Sequence, residues 1–263
     1  MNPVIAVRDL EKSFDGFRAI HGISLDIAPR QITGIIGANG AGKTTFVNMI
    51  TGHLKPSRGT IAFEGRDITG LPSRTVARLG ISRSFQVPQT FPSLSVEENI
   101  AIATAIATTP QSIVSQMLTP FMRRETFETV AEITRRFQLT PYRDKPALQL
   151  PQGVRKILDI AMAVVSRPRV ILLDEPTSGI SIEEKYGLME IVIDALAVND
   201  MTILFVEHDM DIIARFADRV FALYEGTVLA DGPPGEVLGN AQVQQFVAGT
   251  PHVPVREAEA SHA

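Results

Sequence analysis

The chain has 263 residues, with 25 Lys and Arg against 29 Asp and Glu, a formal net charge of −4, and neither cysteine nor tryptophan. The acidic balance disfavours a general nucleic-acid binder. The lack of cysteine excludes disulfides and thiolate metal sites and permits a reducing compartment.

The N-terminus, MNPVIAVRDLEKSF, meets charge too early for a signal peptide, so a cytoplasmic protein is expected. Val4 to Val7, Ile20 to Ile27 and Ile61 to Phe63 are short apolar or alternating runs, separated by turn signals such as Asp15-Gly16 and Glu64-Gly65. They predict strands. Ile32 to Ile36 is a compact apolar run entering a glycine-rich loop, and Thr44 to Thr51 follows as a predicted helix. From Pro88 to Leu150 the pattern is helical, with an amphipathic helix predicted over Phe121 to Leu139. The uncharged stretch from Asn99 to Met122 is broken by Pro110 and Pro120 and diluted by Thr, Gln and Ser. It predicts helical structure outside a membrane.

Val170 to Leu173 and Thr202 to Val206 are continuous apolar runs, as expected of strands buried on both faces. Helices are predicted over Glu183 to Ala197 and Asp209 to Phe216, then a hairpin over Val220 to Ala230. Strands alternating with helices indicate an α/β fold with a mainly parallel sheet. The tail after Thr250 lacks periodicity and is expected to be disordered.

Residues 37–44 read GANGAGKT, a full match to the phosphate-loop pattern G-x-x-x-x-G-K-[ST]. Gly37, Gly40 and Gly42 let the backbone wrap so that successive N–H groups, including those of Ala38, Asn39 and Ala41, point at one phosphate chain. The helix that follows adds its positive end. Lys43 is placed to reach the β and γ phosphates, and the Thr44 hydroxyl to ligate magnesium, with Thr45 beside it. Val170 to Pro176 reads VILLDEP and sets two carboxylates at the carboxyl end of a buried strand, where ligand sites of open α/β sheets lie. Asp174 is assigned to hold Mg2+ through water, and Glu175 to polarise an attacking water as general base.

On these residues the chain resembles the ABC ATPase family over nearly its whole length, from Val4 to about Ala248. The resemblance implies a P-loop core, an N-terminal antiparallel β subdomain and an inserted helical subdomain, about 88–165, within a single domain over 1–250. It implies that Phe14 stacks on adenine, the alternative being a core phenylalanine. It implies that Gln86, in SRSFQVPQ, senses magnesium and the attacking water, the alternative being a solvated loop residue. His208, in FVEHDM, corresponds to the switch histidine that contacts the γ-phosphate; the other four histidines lack that context. The stretches GANGAGKTT, SFQ, EHDMDIIARFADRV and LADGPPGEVLGN most resemble ATPase subunits of branched-chain amino-acid importers. Lipopolysaccharide-export ATPases and urea or amide importers share several of them.

Two departures stand out. Where the family signature reads LSGGQ, this chain has Leu150 followed by Pro151, Gln152, Gly153 and Val154. Pro151 has neither a hydroxyl nor a backbone N–H and cannot donate to the γ-phosphate held by an opposite subunit. After Glu175 the loop reads Ser178-Gly179-Ile180-Ser181, with Ser181 in place of the usual Asp or Asn. The expectation is a dimer with unequal ATP sites, the partner being a related second ATPase or an identical chain. Membrane permease subunits would be bound directly, a periplasmic substrate-binding protein indirectly, and nucleic acid not at all. The rival readings are an exporter ATPase, a soluble ABC protein of translation or DNA repair, and a non-hydrolysing ATP-dependent module.

Overall fold

The computed structural model describes residues 2–108, 124–197 and 200–247. Its centre is a six-stranded sheet in the order β10-β9-β3-β8-β7-β6. Strands β3 (Ile32–Gly37), β6 (Ile81–Ser84), β7 (Val170–Asp174), β8 (Thr202–Val206) and β9 (Arg219–Tyr224) run parallel, and β10 (Thr227–Gly232) returns antiparallel to β9. A second, antiparallel sheet has the order β2-β1-β4-β5, from β1 (Ile5–Phe14), β2 (Phe17–Ile27), β4 (Arg58–Phe63) and the two-residue β5 (Arg66–Asp67).

Alternation along the strands explains the layers. Successive side chains of a strand point to opposite faces, and the central strands divide between two cores on that rule. Val170, Leu172, Leu204, Val206, Phe221 and Leu223 pack with the antiparallel sheet and with helix α1 (Lys43–Ile50). Their neighbours Ile171, Leu173, Ile203, Phe205, Val220 and Ala222 pack against helices on the other face. Both faces are covered, which is why these strands read as unbroken apolar runs.

The helices of that second face are α3 (Val96–Thr108), α4 (Arg124–Arg136), α5 (Gln152–Val164), α6 (Ile182–Ala197), α7 (Met210–Phe216), α8 (Pro234–Gly239) and α9 (Ala241–Phe246); α2 (Ser73–Leu79) precedes β6. Helix α3 starts with a capping box: Glu98 N–H donates to Ser95 Oγ at 3.2 Å, and Ser95 N–H donates to Glu98 Oε2 at 2.7 Å. The amphipathic helix predicted over Phe121 to Leu139 is α4, described from Arg124 and ending at Arg136, with Phe137 and Gln138 already in a turn; residues 121–123 of that prediction and the C-terminal tail lie outside the described residues. Among the described residues no helix is long and apolar enough to cross a membrane.

Helix α5, which carries the signature residues, begins at Gln152, because Pro151 takes the N-cap position with an extended backbone (ψ 152°). One element departs from expectation. Strand β6 is absent from the sequence reading: I-S-R-S has one apolar residue in four, too few to signal a strand. It forms because it pairs in parallel with β7, Ser84 opposite Leu173. Parallel pairing places the carboxyl ends of β3, β8, β7 and β6 along one rim, and every candidate site segment except Phe14 and residues 151–154 leaves from that rim.

Candidate functional site

The phosphate loop bridges β3 and α1. Gly40 (φ 82°) and Gly42 (φ 98°) adopt left-handed backbone that other residues reach only with strain. A Cβ at Gly37 would stand 2.6 Å from the Leu223 carbonyl oxygen, so the loop lies flush on β9. Phe46 N–H donates to Gly42 O at 2.8 Å and closes the first helical turn. Asn39, Gly40 and Thr44 are exposed, Ala38 and Thr45 half-buried, and Ala41 and Lys43 buried. The Lys43 ammonium donates to the carbonyls of Gly37 at 2.6 Å and Ala38 at 3.0 Å. Burial lowers its pKa, and the charges of Glu175 and Asp174 oppose that effect.

Asp174 ends β7 beside β6, and Arg83 on β6 donates to its Oδ2 at 2.5 Å. The same guanidinium donates to Asn48 Oδ1 of α1 at 2.5 Å and lies over the Phe85 ring, 5.2 Å from its centroid. Glu175 follows in a left-handed conformation (φ 49°), and its N–H donates to Val206 O at 3.0 Å. Its carboxylate is held from two sides. Gln86 Nε2 donates to Oε2 at 2.7 Å, and His208 Nε2 lies 2.8 Å from Oε1. Against an ionised carboxylate that nitrogen carries the proton. Glu207, buried, accepts from Thr177 N–H at 2.9 Å and Thr177 Oγ at 2.6 Å and steadies the backbone before His208.

The other predicted residues lie apart from this group. Phe14 ends β1 opposite Phe17 and is 43% exposed, with Lys12 Nζ 5.0 Å from its ring centroid. The alternative of a core phenylalanine is thereby excluded. Pro151 and Gln152 are exposed, with Gly153 and Val154 half-buried in the first turn of α5. The Gln152 amide packs on the backbone of Gly179. Ser181 Oγ donates to Glu184 Oε2 at 3.0 Å at the start of α6, a side-chain bond between residues three apart.

The rim fits a nucleoside triphosphate: a flush glycine loop, the N-terminal amides of α1, a buried ammonium and two acids share one edge of the sheet. Among the described residues no three His, Cys, Asp or Glu form a group able to hold a metal. A divalent ion here would need phosphate oxygens beside the Thr44 hydroxyl and Asp174, the mixed oxygen set magnesium takes.

Residues 20–178 match the family model described as ABC transporter. The chain belongs to the ABC transporter family. It is 35% identical over 250 residues to the high-affinity branched-chain amino acid transport ATP-binding protein LivG of Salmonella typhimurium, covering 94% of this chain and 98% of that one. It is 32% identical to BraF of Pseudomonas aeruginosa, named for the same transport, with the same coverage. Among solved structures, the ATP-binding cassette MJ1267 of an ABC transporter superposes with a TM-score of 0.81 at 27% identity, covering 93% of this chain and 98% of that one. The structure of cbiO1 of Clostridium perfringens, part of the ABC transporter complex cbiONQ, gives 0.80 at 29% identity, covering 93% and 94%.

Several residues that build the site carry no motif of their own. Arg83 sits in the unpredicted strand β6. Lys156 donates to the Glu175 carbonyl at 2.7 Å, and Asp159 accepts from the amides of Phe85 at 3.2 Å and Gln89 at 2.7 Å. The available signal was two opposite charges three apart in the otherwise apolar run KILDIAMAVV.

Proposed function

We propose that this ABC transporter subunit binds ATP with Mg2+ and hydrolyses it, and that the cycle powers import of branched-chain amino acids or a related small polar or amphipathic solute. The transport reading rests on relatives of about one-third identity and near-full coverage that bear that name. The hydrolytic reading rests on one observation: a carboxylate beside the phosphate loop whose two oxygens are aligned by Gln86 and His208.

In this mechanism the loop amides and the positive end of α1 hold the phosphate chain. Lys43 turns from the Gly37 and Ala38 carbonyls to the β and γ phosphates, where anionic oxygens offer stronger charge-assisted bonds. Thr44, Asp174 and Gln86 would hold Mg2+, which would supply charge neutralisation for the phosphates. Glu175 receives the attacking water and draws its proton as the water oxygen bonds to the γ-phosphorus, while the bond from that phosphorus to the β–γ bridging oxygen breaks and ADP leaves. His208 donates to the γ-phosphate and orients that water. Most of the rate comes from positioning and charge stabilisation. Phe14, exposed at the end of β1, stacks on adenine.

The working unit is a dimer in which residues 151–154 face the nucleotide of the opposite subunit. Pro151 offers no donor, but the next amides of α5 have no acceptor within the helix and present its positive end. A related, heterologous ATPase with a fuller signature is the favoured partner. Residues 1–250 act as one ATPase domain, with the helical subdomain of about 88–165 and the segment after Gln86 against permease subunits. The chain thus sits on the cytoplasmic face of the membrane, and the periplasmic binding protein is reached only through the permease.

The test is phosphate release by the chain co-purified with its permease and second ATPase, in vesicles loaded with candidate solute-binding proteins. Hydrolysis stimulated by a leucine-, isoleucine- or valine-loaded binding protein is the expected result. Stimulation only by an unrelated solute would overturn the substrate class, and absence of hydrolysis would overturn the enzymatic reading.

A further inference from the structure

Helix α5 carries the signature residues at its first turn, yet its deeper residues reach back into its own subunit. Gln152 packs on Gly179, four residues beyond Glu175. One turn further in, the Lys156 ammonium, 4% exposed, donates to the Glu175 carbonyl at 2.7 Å. Three residues on, Asp159, 6% exposed, takes the Phe85 and Gln89 amides on separate carboxylate oxygens, at 3.2 and 2.7 Å. Those two amides bracket Gln86. Positions three apart lie on one helix face, so a single face of α5 grips both segments that meet at the Glu175 carboxylate.

The grip falls where the backbone needs it. A left-handed conformation costs an L-residue about 1–2 kcal/mol and persists when its surroundings fix it. Glu175 (φ 49°) is fixed by its own N–H on Val206 O, by Ser178 N–H on its carbonyl at 3.1 Å, and by Lys156 on that same carbonyl. Only the Lys156 bond comes from another layer of the molecule. Burying an ammonium and a carboxylate is expensive: burial lowers the Lys156 pKa and raises that of Asp159. An apolar pair would pack there at less cost, so the charges answer a demand other than core stability.

We infer that Lys156 and Asp159 are positioning residues through which the helix presenting residues 151–154 to the opposite nucleotide also sets the geometry of Glu175 and Gln86 in its own site. This rests on the hydrolytic reading above. The inference makes α5 a shared part of both sites, so that seating its N-terminus on one nucleotide tightens the catalytic segments around the other.

Two measurements test it. In the intact transporter complex, Lys156→Met is expected to lower kcat at least ~10-fold while KM for ATP stays within ~2-fold, because misplacing an aligned group costs turnover rather than binding. Lys156→Arg, which keeps a cationic donor, is expected to recover most of that loss. Independently of activity, hydrogen exchange on the full chain should quicken over 174–180 in Lys156→Met and over 85–90 in Asp159→Asn, with the phosphate loop 37–50 unchanged. Wild-type kcat in Lys156→Met, an equal loss of kcat and ATP binding, or exchange that rises uniformly along the chain would overturn the inference. A wild-type complex that released no phosphate would instead remove the hydrolytic reading, and the exchange pattern would then decide the positioning role alone.

Discussion

His208 Nε2 lies 2.8 Å from Glu175 Oε1, across the boundary between two neighbouring parallel strands. The register that pairs Asp174 with Val206 makes this possible: Glu175 and His208 leave the sheet one and two residues past the paired positions. Gln86, two residues beyond the end of β6, closes the arrangement from the other side.

Glu175→Gln keeps the shape of the side chain but turns one of its two accepting oxygens into an NH2 donor and removes the proton acceptor. Phosphate release is expected to fall by about 10²–10⁴-fold, the range for a positioned general base, with ATP binding retained. The same change in the partner's matching glutamate is expected to cost less, because that site receives the Pro151 signature. Equal losses in the two single variants, measured by steady-state ATPase assay, would contradict unequal sites.

Arg83 and Asp174 form a buried ion pair, with side chains 7% and 11% exposed. Arg83→Met leaves the Asp174 carboxylate without its counter-ion. A loss of about 3–5 kcal/mol is expected in chemical denaturation, as for breaking a buried pair from one side. Adding Asp174→Asn to Arg83→Met should recover part of that loss. A denaturation midpoint unchanged by Arg83→Met would show that the pair holds nothing together.

Phe14 is exposed at the end of β1, so Phe14→Ala should leave the melting temperature nearly unchanged. Stacking of a base on an aromatic side chain contributes about 1–3 kcal/mol. ATP affinity, read by fluorescent-nucleotide titration, should therefore weaken by at least ~5-fold. Unaltered affinity would remove Phe14 from the adenine site.

Asp209 caps α7, accepting from the amides of Asp211 at 3.0 Å and Ile212 at 3.3 Å, and pairs with Lys185 of α6. Burial alone would raise its pKa, but the Lys185 hydrogen bond and the two amides outweigh it, and the net shift is downward. A depressed folded pKa means that the carboxylate stabilises the fold fully above its unfolded pKa, and that this contribution is lost as pH falls through the folded value. Asp209→Ala is expected to cost about 1 kcal/mol near neutral pH. The gap between variant and wild type should close well below the ordinary aspartate value of about 3.9. Urea titrations at both pH values provide the check; a gap that widened in acid would refute the sign.

The phosphate loop and the acidic strand end were readable because their chemistry is local: a strand, a glycine turn and a helix follow one another within 20 residues of chain. Strands β7 and β8 were readable for a related reason, since burial on both faces demands an unbroken apolar run. Strand β6 was not, because its polar sequence is tolerated at a sheet edge where only one flank is paired. Arg83 was hidden with it. Phe14 could be named as aromatic from sequence, but its exposure, which separates a surface platform from a core residue, depends on what packs above the hairpin.

Sequence by itself determined the backbone cradle, the pair of acids and the doubly covered sheet, because each is written in neighbouring residues whose spacing matches a turn, a strand or a helix. Tertiary structure alone decided which distant groups meet. Arg83 finds Asp174 91 positions away, Gln89 finds Asp159 70 away, and Lys156 finds Glu175 19 away. Those meetings follow from strand order and from the face that α5 turns to the sheet. Both are set by how two apolar layers close on the central strands, and local periodicity carries no record of that closure.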